Sequence, residues 1–183
     1  MILASQSPRR RELLSLVTTD FRVVVADVDE TPLPGEAPVR YVQRLAELKA
    51  RTVAHEAVAD EAVVAADTTV CFADEIFGKP ADKADFLRMM RVLSGQTHQV
   101  YTGVCVVRSQ RVQSTVVCTD VTLRVMSETE CNAYWATGEP CDKAGGYGIQ
   151  GLAARFVRQI HGSYTNVVGL PLVELEALLH DAS

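Results

Sequence analysis

The sequence predicts an α/β protein built on a mixed sheet, and three observations carry that class. Short apolar runs at 1–4, 21–26 and 62–66 read as strands, and segments with apolar residues at three- and four-residue spacing lie among them. Two long alternating runs, at 97–108 and 111–125, have the form of a large antiparallel hairpin. A last helical stretch at 171–180 closes a chain in which strands and helices are mixed throughout.

Taken in order, residues 1–4 form the first strand, and Ser7-Pro8 starts a helix. The hydroxyl caps free backbone N–H groups and the proline takes the first helical position. Arg9, Arg10 and Arg11 then fill the first turn, where the positive end of the helix dipole disfavours cations and attracts anions, so the segment reads as an anion site. With Leu13, Leu14 and Val17 as the buried face, a rotation of about 100° per residue points Arg10 inward, leaves Arg9 at the edge and turns Arg11 outward. A solvated basic turn, or a Ser-Pro-Arg segment that follows DNA grooves, is the plainer reading; the inward Arg10 favours a phosphate pocket.

The strand at 21–26 ends in the acidic loop Asp27-Val28-Asp29-Glu30-Thr31, closed by Pro32 and Pro34. A helix follows from 38 to about 56, with Val39, Val42, Leu45, Ala46 and Val53 on one stripe. Lys49 lies on that stripe, so its ammonium is carried toward the core unless it snorkels out. The strand at 62–66 ends at Asp67-Thr68, continues through 69–72, and turns around Asp74. If the hairpin is centred on Asp74, Lys79 lies opposite Thr69 and comes beside Asp67 and Thr68; the plain alternative is a surface ion pair.

A helix over 82–93 is ended by Ser94-Gly95, and the long hairpin follows. Ser127 and Glu130 form a capping box for a helix through Thr137, stopped by Gly138 and Pro140. A glycine-rich loop, a strand at 156–160, a polar turn region at 163–169 and the closing helix complete the chain, with Leu172, Leu175, Leu178 and Leu179 inward. No repeat, low-complexity tract or linker divides it, so residues 1–183 are expected to form a single domain.

Composition narrows the function. A chain of 183 residues, 48% hydrophobic, can bury a core, and a net charge of -5 argues against a nucleic-acid coat while allowing a phosphorylated ligand in a locally basic cleft. The five cysteines have no C-x-x-C spacing and read as reduced, mostly buried thiols; the four histidines make no zinc pattern with them. No apolar run approaches membrane length and no charged leader precedes one, so the expectation is a cytoplasmic protein with no membrane partner.

Two familiar motifs are partial matches. Gly146-Tyr147-Gly148-Ile149-Gln150-Gly151 fits the dinucleotide pattern G-x-G-x-x-G, but it neither follows a strand nor opens a long helix. What remains is a glycine loop that lets backbone approach a ligand, with Lys143 and Gln150 as polar handles. The acidic loop fits the D-x-D-x-T motif of haloacid-dehalogenase-type phosphatases, which would make Asp27 a nucleophile; the late paired-aspartate motif of such enzymes is missing, since only Asp142 and Asp181 follow residue 120.

In sequence, the chain resembles the Maf (septum formation) family of nucleoside triphosphate pyrophosphatases over almost its whole length. The resemblance is carried by Ala4-Ser5-Gln6-Ser7-Pro8-Arg9-Arg10, Glu30, Lys49, Ala66-Asp67-Thr68, Gly78-Lys79-Pro80, Leu93-Ser94-Gly95, Asp142-Lys143-Ala144-Gly145, Tyr147-Gly148-Ile149-Gln150-Gly151 and Gly162-Ser163-Tyr164. Gln96-Thr97-His98-Gln99 and the Gly-Ile-Gln-Gly block are similar to the branch acting on dTTP and UTP, as opposed to 7-methyl-GTP.

The resemblance implies a two-lobed α/β fold like that of inosine triphosphate pyrophosphatases, an active-site cleft between the lobes, a possible homodimer and a divalent cation, Mg2+ or Mn2+. It implies Asp67 as proton acceptor, Arg9, Thr68 and Gln150 as base-specificity residues, and Ser5, Arg10, Glu30, Lys49 and Lys79 as pocket residues. On this reading Glu30 and Asp67 hold the metal while Arg10, Lys49 and Lys79 grip the triphosphate of a small-molecule nucleotide. Gly146, where other members often carry alanine or serine, implies only a looser loop. A non-catalytic nucleotide-binding regulator of cell division is the competing class.

Overall fold

Strand β3 (Val63–Phe72) is the axis of the computed structural model, in which residues 1–58 and 60–181 are described. Its apolar sequence is buried on both faces, as central strands are. One edge pairs antiparallel with β5 (Thr97–Arg108), which continues antiparallel to β6 (Arg111–Leu123) and β7 (Val157–His161). The other edge has two short neighbours. β1 (Ile2–Leu3) lies parallel to the start of β3, with Ile2 opposite Val63, and β2 (Arg22–Val23) lies beyond it. β4 (Glu75–Phe77) returns antiparallel along the end of β3, with Phe77 opposite Val70. Between them, residues 65–69 of β3 have no strand on that edge, and the sheet opens.

Helices cover both faces and divide the molecule into two lobes. α1 (Pro8–Leu14) and α6 (Leu172–Asp181) pack over Leu3, Val64, Ala66 and Val104. On the opposite face α2 (Pro38–Val53) lays Ala46, Ala50 and Val53 on Val63, Ala65 and Cys105, as the alternation of side chains along β3 requires. The other lobe gathers Phe77, Phe86, Tyr134 and Phe156 around α3 (Lys83–Leu93) and α4 (Glu128–Trp135). Gly103 of β5, directly opposite Asp67, sets how near α2 comes: a Cβ there would stand 2.6 Å from the Val42 carbonyl carbon and 2.9 Å from Gln43 N. Helix and sheet touch at backbone distance.

The α/β mixed-sheet class is as expected, and several elements differ in detail. The second strand is only β2, both residues exposed, because an edge position gives the run at 21–26 little to pair with or bury against. The β3–β4 turn is the pair Ala73-Asp74 at φ 49° and 65°, half a residue off the expected centre, so the register shifts by one and carries Lys79 toward Thr68 instead of Thr69. Within 163–169, expected as a polar turn region, residues 164–168 form α5 (Tyr164–Val168), capped by Ser163. In α6 only Leu175 is fully buried; Leu172, Leu178 and Leu179 are half-buried. Val39 is exposed at the start of α2. The Ser127–Glu130 capping box is present. Cys71, Cys105 and Cys131 are buried and Cys118 and Cys141 exposed, all as free thiols. No helix among the described residues is long and apolar enough to cross a membrane.

Candidate active site

A cleft of about 690 Å³ lies where the sheet edge opens. Asp67 and Thr68 are consecutive on β3, so their side chains leave opposite faces and meet different helices. Asp67 meets α2 and Thr68 meets α1.

Lys49 is 7% exposed, as its place on the apolar stripe predicts, and does not snorkel. Its Nζ lies 2.6 Å from Asp67 Oδ1 and 2.7 Å from Glu30 Oε1, joining a buried carboxylate to one half-exposed on the acidic loop. The two acids are pushed in opposite directions. Burial raises the Asp67 pKa above the ordinary carboxylate value, against the pull of Lys49 and Arg10. Burial also opposes the Glu30 charge, but the hydrogen bond and charge of Lys49, with Lys79 and Arg10, outweigh it and hold Glu30 below its ordinary value. Divergent carboxylates of this kind suit different roles.

Arg10 points inward from α1 while Arg11 is exposed. Its Nε donates to Gly169 O at 2.8 Å, Nη2 to Thr68 Oγ1 at 3.0 Å and Nη1 to Ser5 Oγ at 3.4 Å. Thr68 Oγ1 is in turn 2.9 Å from Thr102 Oγ1, so the guanidinium is held on a buried hydroxyl chain. Burial lowers the Arg10 pKa, the charge of Asp67 opposes this, and Arg9 adds to it. Arg9, at the rim, places Nη1 3.5 Å from Asp142 Oδ2. Lys79 is exposed two residues beyond β4 and lines the cleft beside Gly78.

The opposite wall is the glycine loop. Gly145 and Gly146 have φ of 68° and 70°, and a Cβ on either would come within 2.8 Å of a side-chain carbon, of Val70 and Phe86 respectively. Gly146 therefore packs the loop down on the core, which corrects the expectation that it merely loosens it. Lys143 Nζ donates to Glu139 O at 2.8 Å and Asp142 Oδ1 at 2.6 Å, and Gln150 is exposed at the loop apex, lining the cleft. All ten candidate pocket residues, Glu30 among them, thus border one cavity.

Tyr41 escaped the sequence reading. It lines the cleft, and its hydroxyl donates to Glu30 O at 2.9 Å, tying the acidic loop to α2. Burial, then the charges of Asp67 and Glu30, push its pKa up to about 12, so it stays protonated. Its signal was present: residues 41, 45 and 49 share one helical face at four-residue spacing.

Two carboxylate oxygens converging on a single cation fit a divalent metal held by one or two carboxylates and completed by phosphate and water. Among the described residues no group of three or more His, Cys, Asp or Glu side chains gathers that could hold a metal ion on its own.

An open-edged α/β sheet with cations and paired acids in its cleft defines a class, a binding protein for small polyanions. Its membership is narrower than that. The chain belongs to the Maf family: the profile described as "Maf-like protein" matches residues 1–182. It is 50% identical over 177 residues to a "dTTP/UTP pyrophosphatase" of Pseudoalteromonas translucida, covering 97% of this chain and 94% of that one. A protein of the same description from Vibrio cholerae is 50% identical over 180 residues, covering 98% and 96%. Among solved structures, the Staphylococcus aureus Ham1 protein aligns over 100% of this chain and 98% of its own with a TM-score of 0.57 at 11% identity, a likeness of fold.

Proposed function

We infer that this protein hydrolyses dTTP and UTP to the nucleoside monophosphate and pyrophosphate. The family and its relatives' described activity support the reading, and the observation that carries it is Asp67, a buried carboxylate with a raised pKa between Lys49 and Arg10 in a cleft able to hold a triphosphate. Water attacks the α-phosphorus, the bond from that phosphorus to the α–β bridging oxygen breaks, and pyrophosphate leaves. Asp67 orients the water and accepts its proton. Arg10, Lys49 and Lys79 hold the phosphate oxygens, with Ser5 and Lys143 along the pocket. Glu30 and Asp67 would hold a divalent cation, Mg2+ or Mn2+, which when bound offsets phosphate charge.

The base is read by Gln150, Arg9 and Thr68. Uracil and thymine present acceptor, donor, acceptor along their pairing edge; one amide meets O4 and N3–H, and arginine or hydroxyl meets the remaining carbonyl. The phosphatase alternative would use Asp27, which is exposed at the rim and lacks the burial and flanking cations of Asp67. We further propose that residues 1–183 act as one domain on a small-molecule nucleotide.

The test is a nucleotide panel with Mg2+ and separate detection of pyrophosphate and inorganic phosphate. Equal yields of pyrophosphate and UMP from UTP are expected. Orthophosphate with UDP would point to the phosphatase reading, and binding without turnover to a regulator.

A further inference from the structure

We infer that Glu139 and Tyr134 form a positioning pair that fixes Gln150 at the base end of the cleft, an inference that rests on the base-reading role proposed for Gln150. The segment 148–151 belongs to no strand: Gly151 N closes it as a turn on Gly148 O at 3.1 Å, while the N–H of Gly148 and the first N–H groups of the 3-10 turn Leu152–Phe156 need partners from elsewhere. Two side chains supply them. Gly148 N donates to Tyr134 Oη at 3.2 Å, and that hydroxyl donates to Glu139 Oε1 at 2.7 Å. On the far side of Gln150, Leu152 N donates to Glu139 Oε2 at 2.9 Å and Ala153 N to Oε1 at 3.3 Å. The backbone before and after Gln150 is therefore tied to one phenol–carboxylate pair.

The anchor itself is firm. Tyr134 is 1% exposed, with its ring edge-on to Phe156 at 5.5 Å between centroids. The glycines flanking Ile149-Gln150 make room for the clamp: a Cβ on Gly151 would stand 2.6 Å from Glu139 Cδ, and one on Gly148 2.6 Å from Lys143 Cε. Burial opposes the Glu139 charge, but the N–H of Leu152, the Tyr134 hydroxyl and the N–H of Ala153 outweigh it, so the group remains an acceptor on both oxygens. An amide in its place would turn a donor against a donor.

Discrimination between pairing edges depends on leaving the wrong edge unpaired, which a swinging glutamine cannot enforce. Removal of Glu139 should therefore cost selectivity more than chemistry. The experiment compares kcat and KM for UTP and GTP in the parent, Glu139→Ala, Gln150→Ala and the double variant. Glu139→Ala should reduce the UTP/GTP ratio of kcat/KM by about tenfold, chiefly through KM for UTP, and should add nothing further on the Gln150→Ala background. Tyr134→Phe, which keeps the ring, and Glu139→Gln should shift the same ratio in the same direction, and they serve if Glu139→Ala does not fold.

An unchanged ratio in these variants while Gln150→Ala shifts it would overturn this inference alone, as would additive effects in the double variant. An unchanged ratio in Gln150→Ala would overturn it together with the base-reading role.

Discussion

The two walls of the cleft are built differently. Lys49, Asp67 and Arg10 stand on a helix, a strand and a second helix, and each reaches the cavity because the period of its element directs it there. The Gln150 wall has no such element. Its position comes from backbone N–H groups caught by Tyr134 and Glu139, and from glycines that allow that approach. Side chains on regular elements give a charged wall that can stabilise a transition state, whereas a clamped loop gives a wall that can discriminate.

The sharpest way to break the distinction is Asp67→Asn, which keeps shape and removes the base. Turnover should fall on the order of 10³-fold with the thermal transition retained, and activity within a few-fold of the parent would remove Asp67 from its role. Arg10→Ala should lower kcat/KM by about 10²-fold for every nucleotide alike, while Arg11→Ala, on the outer face of the same turn, changes little. Equal effects at both positions would end the helical-face argument. On the other wall, Gln150→Glu should depress UTP turnover by about tenfold relative to GTP and leave the dependence on metal concentration alone. A uniform loss across nucleotides would make that wall no different from the first.

The smallest effect lies behind the loop wall, where buried His98 holds Nε2 2.6 Å from Tyr147 Oη. Burial lowers the His98 pKa from 6.5 to about 4, so as pH falls below 6.5 the unfolded chain takes up a proton that the folded one refuses until about 4. Stability should fall by about 1 kcal/mol between pH 7 and 5.5 from this group, and His98→Gln should flatten that slope in urea titrations. A parallel slope in the variant would place the sensitivity elsewhere.

The sequence was most legible where periodicity governs. Lys49 on its apolar stripe, Arg10 on the inner face of α1 and the Ser127–Glu130 box follow from spacing alone, and the structure has them there. It was less legible where tertiary partners decide. Ala73 and Asp74 occupy positive φ without the glycine or asparagine that announces such a turn, and the Lys79 register moved by one residue. The five residues of α5 are too few to show a helical period, and only the Ser163 cap marks their start. Glu139 carried no local sign of its task, because the backbone groups it holds lie 13 and 14 residues away.

Gly103 gives the charged wall a dimension. Because α2 rests on the sheet at that glycine, the span from helix to Asp67 is set by a missing methyl group, and a lysine closes it with its ammonium 2.6 Å from the carboxylate. A residue with a Cβ at position 103 would lift the helix, and the same lysine would then fall short. Positions 103 and 49 should therefore behave as a gauge and its matching part: in a library randomised at both, active clones that lose Gly103 should be rare and should not retain Lys49. Free recombination of the two positions among active clones would show that the reach of the side chain is not what places the charge.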